Sequence, residues 1–434
     1  MQGTILNHFL KYRSVSIDTR TLKPNSIFFG IKGNNFDGNN FIEQAIENGA
    51  TLCVTDNSKY QNKENVILVK NSLKALQELA TAYRLTLNIP IIAIAGSNGK
   101  TTTKELSSKV LKQKYKCYAT EGNLNNHIGV PLTLLSIPKD TEIAIVELGA
   151  NKQGDNAELC EIARPNYGLI TNFGKDHLEG FGSINGVIEA NLELFDFLKK
   201  NGGKMFVHQD DDILDQHIKN IERLTYGSEH TEVSGKIIEA NPLIQAIWKQ
   251  ESNNSQHIVQ TQLTGNYNLP NILAAIRIGT QFNVEPARIN QAIENYQPSN
   301  NRSQLIKINS TTIILDAYNA NPSSMELALE SFKTLNKGSK KGVILGDMLE
   351  LGTYAQKEHE QILKHISDLQ LDFAHLIGRE FYKFKEHYTK FSFFENTENY
   401  KARLSANQLL NRTVLIKGSR SLGLEVIVDK LRES

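Results

Sequence analysis

The sequence predicts an α/β protein of about three domains, and three observations predict it. The chain has 434 residues, which at roughly 150 residues per domain divides into about three. From Pro90 onward, continuous apolar runs (IIAIAG, EIAIVELG, YGLITNFG, KMFVHQ) alternate with helical stretches. Runs of that kind are strands of a parallel sheet covered on both faces. A second such series, TTIILDAY, KGVILGD, FAHLIG, FSFF and TVLIKGS, follows the polar segment Gln297-Pro298-Ser299-Asn300. Two α/β series joined this way predict two domains with a cleft between them.

Residues 1–88 read as a small α/β unit. Short β-rich runs (SVSID, SIFFGI, TLCVTD, NVILVK) surround the helical stretch NFIEQAIENGA, which stops at Gly49. The amphipathic helix LKALQELATAYRLTL then leads to Asn88-Ile89-Pro90, where proline disfavours helix in the residue before it. The central unit covers 89–299. Its segment 223–264 is β-rich without helical periodicity, and the helices YNLPNILAAIRIGTQF and PARINQAIENY follow, the second opening on proline. The last unit covers 300–434.

Composition narrows the function. Lys+Arg number 48 and Asp+Glu 47, a net charge of +1, so no global basic field marks a nucleic-acid binder. No run approaches the roughly 18 apolar residues of a membrane span. The start, MQGTILNHFLKYRS, lacks the small-residue cleavage site of a signal peptide. Cys53, Cys117 and Cys160 are far apart and odd in number, which fits free thiols of a cytoplasmic protein. The expectation is a cytoplasmic enzyme, a monomer, with no membrane insertion and no nucleic-acid partner.

Chemistry concentrates at Ile91–Thr103, IIAIAGSNGKTTT: a buried strand, a turn bounded by glycines, and a helix starting near Lys100. A helix N-terminus offers unpaired N–H groups and partial positive charge to a phosphate. Gly96 and Gly99 let the loop curl close to the anion, Lys100 can reach terminal phosphates, and Thr101 can ligate Mg²⁺. The usual pattern has glycine where Ile94 stands, so this is a shortened G-x-x-G-K-T-T loop. Glu147 ends the strand of EIAIVELG at the carboxyl edge, where parallel sheets bind ligands, and is the candidate metal acid. His177, in TNFGKDHLEG, lies past a third strand at the same edge and is a candidate for metal or phosphate contact. No G-x-G-x-x-G follows a strand, which argues against a dehydrogenase.

In order along the chain, AIAGSNGKTTTKE, VELGAN, TNFGKDHLEGFGS, GNYNLPNILAA, NNRSQ, LDAYNANPSSM, LGDMLELG and LIKGSR resemble the Mur ligases of peptidoglycan synthesis, from about Ser16 to Arg420. The resemblance implies an N-terminal domain for a UDP-sugar, a central P-loop-type ATPase domain and a C-terminal Rossmann-like domain. GNLNNHIGVPLTLL (Gly122–Leu135) is similar to the member that uses ATP and Mg²⁺ to join D-alanyl-D-alanine to UDP-N-acetylmuramoyl-tripeptide. A sibling Mur or folylpolyglutamate-type ligase, or a weakened ATP-binding scaffold, stays open as the alternative.

The resemblance also assigns residues. Gly96, Ser97, Asn98, Gly99, Lys100, Thr101 and Thr102 would cradle ATP, with Asn268 and Asn271 on the adenine-contacting helix. Arg302 would reach the phosphates, Asp316 would lie near the ribose, and Tyr318 follows in the same turn. Thr101, Glu147 and His177 form the metal set, and Lys100, His177 and Arg302 the catalytic set. Asp18-Thr19-Arg20 stands at the family's D-S-R motif and Phe36-Asp37-Gly38 at its F-D-G turn, both expected at the uridine diphosphate. Asn123, Asn125, Asn126, Asn319 and Asn321 would face substrate, and Lys417, Ser419 and Arg420 would meet a carboxylate. One departure is Asn191, which stands where many members carry a lysine whose carbamylation supports a second Mg²⁺. Asparagine cannot be carbamylated, and Asp176 is the candidate replacement charge.

Overall fold

A computed structural model describes residues 2–252, 255–335 and 340–433. Strand Ile91–Ala95 shows why the central sheet is sandwiched. All of its residues are buried, and alternate side chains enter opposite cores: Ile91, Ala93 and Ala95 join one, Ile92 and Ile94 the other. Side chains on a strand alternate faces, so a fully apolar run requires cover on both sides.

That strand lies inside a nine-stranded sheet, between Tyr167–Ile170 and Ile143–Glu147, with parallel pairing to each. Parallel order continues outward to Cys117–Ala119 on one side and through Lys204–His208 and Glu222–Gly227 to Val233–Ala240 on the other. The sheet is not parallel throughout, however. Leu243–Gln250 and Gln256–Thr264, within the segment read as β-rich, pair antiparallel at its far edge. Their buried residues alternate with half-buried ones in Leu243–Gln250 and mostly with exposed ones in Gln256–Thr264, as in a strand with one wetter face.

Val15–Ser16, Ile27–Phe29, Leu52–Thr55 and Val66–Leu68 form a four-stranded parallel sheet. Helix Ser72–Thr86, N-capped by the Asn71 side chain, ties this unit to the central one. Its buried Arg84 donates through Nε to the Ala163 carbonyl at 3.1 Å and through Nη2 to Asn166 Oδ1 at 3.0 Å. A six-stranded sheet follows, with Thr311–Asp316, Arg412–Lys417, Lys340–Gly346, Phe373–Ile377 and Ser392–Phe394 parallel in that spatial order. Two elements were not foreseen: helix Gln2–Tyr12 at the N-terminus and edge strand Gln304–Ile308, antiparallel to Thr311–Asp316. Among the described residues, no helix is long and apolar enough to cross a membrane.

Candidate active site

The strand ends of the central and last sheets face each other across a cavity of about 320 Å³. Its floor is the loop after Ile91–Ala95. Gly96 has φ +115° and a Cβ there would meet Thr171 Oγ1 at 2.2 Å, while Gly99 has φ +85° and a Cβ would meet Asn271 Oδ1 at 2.6 Å. Only glycine fits both conformation and space. Helix Lys100–Leu111 starts directly after Gly99, so its first N–H groups point toward the cavity. The Lys100 ammonium folds back onto the carbonyls of Gly96 and Ser97, the latter at 3.0 Å.

The loop is held from two sides. Gly96 N–H donates to Asn191 Oδ1 at 2.8 Å, and Asn191 Nδ2 donates to the Val187 carbonyl at 2.9 Å. Ser97 N–H donates to the Asn172 carbonyl at 3.0 Å, Asn98 N–H to Asn172 Oδ1 at 3.1 Å, and Asn172 Nδ2 to the Asn98 carbonyl at 2.9 Å. The Ser97 hydroxyl donates to Asp176 Oδ1. Asn191 is thus a neutral pin for the loop, with both amide groups engaged, while buried Asp176 brings a carboxylate to the cavity wall.

Glu147 is buried at the end of its strand. Its Oε1 accepts from Thr101 Oγ1 at 3.2 Å and Asn125 Nδ2 at 2.9 Å, and its Oε2 has no hydrogen-bond partner. The ammonium of buried Lys104 lies 3.6 Å from Oε2, too far for a hydrogen bond, and donates instead to the Thr120 carbonyl at 2.8 Å. Oxygen donors with one unsatisfied carboxylate oxygen suit a hard divalent cation. Among the described residues, no group of three or more His, Cys, Asp or Glu forms a metal cage. Magnesium in nucleotide sites usually keeps waters and phosphates in its shell and needs few protein ligands.

The opposite wall comes from the last unit. The Arg302 guanidinium stacks 3.6 Å over the Tyr318 ring. Asp316 accepts from Lys417 Nζ at 2.6 Å and from Ser303 N–H at 3.2 Å. Asn321 caps helix Pro322–Thr334 and donates through Nδ2 to Asn98 Oδ1 at 2.9 Å, linking this wall to the phosphate loop. Asn268 and Asn271 bond to each other at 2.9 Å, and Asn271 Oδ1 accepts from Thr103 Oγ1 at 3.0 Å, locking their helix to the phosphate-loop helix. His177 Nδ1 lies 2.6 Å from Glu350 Oε2, and that hydrogen bond holds the Glu350 carboxyl below its ordinary range.

The cavity therefore gathers Ser97 to Thr102, Asn123, Asn125, Asn126, Glu147, His177, Asn268, Asn271, Arg302, Asp316, Tyr318, Asn319, Asn321 and Lys417. Gly96 shapes the loop without lining it. Lys417 is not a solvated strand end: it is buried and spent on Asp316. Ser419 is also turned inward, its hydroxyl accepting from Leu349 N–H at 3.0 Å, so it supports the turn instead of facing the cavity. Arg420 stays exposed and reaches the Tyr318 hydroxyl at 3.3 Å. The N-terminal candidates lie elsewhere. Asp18 and Arg20 grip each other, which pulls the Asp18 carboxyl down to about 2. Thr19 donates to Gln44 Oε1 at 3.1 Å. Asp37 caps the turn at Gly38, and exposed Phe36 stacks on Phe41 with centroids 5.1 Å apart. Sequence reasoning missed Asn172, Lys104 and Glu350. Asn172 had a readable signal, as it follows the strand directly in ITNFG.

Comparison with known proteins matches three family models: the Mur ligase family catalytic domain over residues 11–84, the Mur ligase middle domain over 94–279, and the Mur ligase glutamate ligase domain over 301–420. The chain is 35% identical to the UDP-N-acetylmuramoyl-tripeptide–D-alanyl-D-alanine ligase of Bacillus subtilis, covering 100% of this chain and 97% of that protein. It is 29% identical to the enzyme of that name from Escherichia coli, covering 100% and 97%. Among solved structures it is similar to MurF from Acinetobacter baumannii (TM-score 0.89, 28% identity, 98% and 94% covered). It is also similar to MurF ligase from Thermotoga maritima in complex with ADP (TM-score 0.84, 25% identity, 98% of each chain covered).

Proposed function

Because the chain belongs to the Mur ligase family, we infer that it is the ATP-dependent ligase that joins D-alanyl-D-alanine to UDP-N-acetylmuramoyl-tripeptide in peptidoglycan precursor synthesis. Full-length similarity to enzymes of that activity supports it. The carrying observation is the single cavity in which the phosphate loop and Glu147 face Arg302, Asp316 and Lys417. Residues 1–88 take the UDP-sugar, 89–299 the ATP, and 300–434 close over both, in the cytoplasm where these precursors are made.

A carboxylate does not acylate an amine, because oxide is too poor a leaving group. The terminal carboxylate of the tripeptide therefore attacks the γ-phosphorus of ATP, the bridging P–O bond breaks toward ADP, and an acyl phosphate forms. Lys100 and Arg302 neutralise charge on the transferring group, and the loop N–H groups orient it. Thr101 and Glu147 would hold Mg²⁺, with His177 facing the same cavity; when bound, the ion shields the phosphate oxygens. The amine of the dipeptide then attacks the acyl carbon, phosphate leaves, and the nitrogen loses a proton as the amide forms. Acyl phosphates hydrolyse when wet, so closure of the last domain has a chemical purpose. Asn191 spends its amide on Gly96 and Val187 and supplies no anion, so no step is assigned to a second cation.

Phosphate release from ATP with UDP-N-acetylmuramoyl-tripeptide, measured with and without D-alanyl-D-alanine, tests this function. Dipeptide-dependent release is expected. Nucleotide binding without such release would leave an ATP-binding scaffold and overturn the ligase.

A further inference from the structure

Three consecutive residues after strand Tyr167–Ile170 reach three different partners. Lys175 turns to the last domain: its N–H donates to Ser323 Oγ at 2.9 Å, and its ammonium donates to both Glu358 oxygens at 3.0 and 3.2 Å. Asp176 turns the other way and accepts from Ser97 in the phosphate loop. His177 pairs with Glu350. The Glu358 side chain is 5% exposed and that of Lys175 36%. Among the described residues, both hydrogen bonds to the Glu358 carboxylate come from Lys175.

A carboxylate buried in one domain whose cation comes from another is paired only while the two are together. Opening separates the two charges and forfeits both charge-assisted hydrogen bonds to a carboxylate that is shielded from water in the closed arrangement, so the pair favours closure. Apolar contacts frame it, since Leu178, Phe181, Val187 and Ala190 share a core with Ala320, Met325, Met348 and Leu351. The same backbone also holds Ser97, one residue along, so a shift at Lys175 is transmitted to the phosphate loop through Asp176.

We propose that Lys175 is a positioning residue of the ligation: its ion pair with Glu358 latches the last domain shut, and through Asp176 and Ser97 it sets the phosphate loop when that domain is closed. The kinetic consequence rests on the ligase function above; the latch itself does not. The test uses the full chain as wild type, K175R, K175M, E358Q and K175M/E358Q. K175M is expected to lower kcat for dipeptide-dependent phosphate release about tenfold, within the usual range of coupling between sites, with ADP affinity changed much less. K175R keeps the charge and should retain most of kcat. Residues acting through one contact are non-additive, so K175M/E358Q should be no slower than K175M. Wild-type kcat in K175M, or losses that multiply in the double variant, would overturn the proposal. Small-angle scattering with ADP alone separates the two claims: wild type should compact and K175M should not, and identical compaction overturns the latch even if no ligation is detected. Absence of phosphate release by wild type would instead count against the ligase.

Discussion

The backbone N–H of Gly96 donates to the side-chain oxygen of Asn191 at 2.8 Å, inside the protein and out of reach of water. The residue expected to mark a missing charged group is thus a structural pin for the turn that receives phosphate.

N191A leaves that N–H without an acceptor, and a buried unsatisfied donor costs about 1–3 kcal/mol. Denaturant unfolding should show a loss of that size, with weaker ADP binding beside it. N191D, which still offers an oxygen, should hold the turn better than N191A. Equal stability of N191A and wild type would contradict the pin.

At Gly99 the backbone sits at φ +85°, and a Cβ would lie 2.6 Å from Asn271 Oδ1. G99A carries a left-handed penalty of about 1–2 kcal/mol and displaces Asn271 as well. Calorimetric titration should find ADP binding weakened by tenfold or more, by order of magnitude from that penalty. Overall stability should fall less than the affinity does.

E147Q keeps the shape and the hydrogen bonds from Thr101 and Asn125 but removes the charge. Turnover should drop by about 10²–10³, the scale seen when one electrostatic stabiliser is lost. Added Mg²⁺ should restore part of it if metal affinity is what falls. Unchanged metal dependence would remove Glu147 from the cation site.

Burial among aromatic rings pulls the His375 imidazole down to about 4. Above the unfolded value near 6.5 both states are neutral and stability is complete. As pH falls from there toward 4, the unfolded chain takes up a proton that the native one refuses. The last domain should therefore lose about 3 kcal/mol across that window. H375F should flatten this slope in unfolding measured from pH 4 to 7.

Much of this was legible because it is local. The apolar runs, the glycines at 96 and 99, and Glu147 at a strand end are all written within short stretches of chain. Helix Gln2–Tyr12 is not legible because its start carries no capping signal. The antiparallel edge near Leu243 and Gln256 is legible only as β-rich, because pairing direction depends on distant partners. The same limit explains the site. Ser419 turning to Leu349 and Lys417 to Asp316 both depend on where other segments fold. The motifs placed the residues at sheet edges; tertiary contact decided which way each side chain faces.

Beneath the cation candidate Glu147, the buried Lys104 ammonium stands 3.6 Å from the carboxylate oxygen that nothing else satisfies. The empty pair is electrically balanced, so a bare divalent ion approaching it meets little net attraction. The pull comes from the triphosphate, which carries its own countercharge. Under the proposed function, a cation held at Glu147 would load together with the nucleotide and not ahead of it.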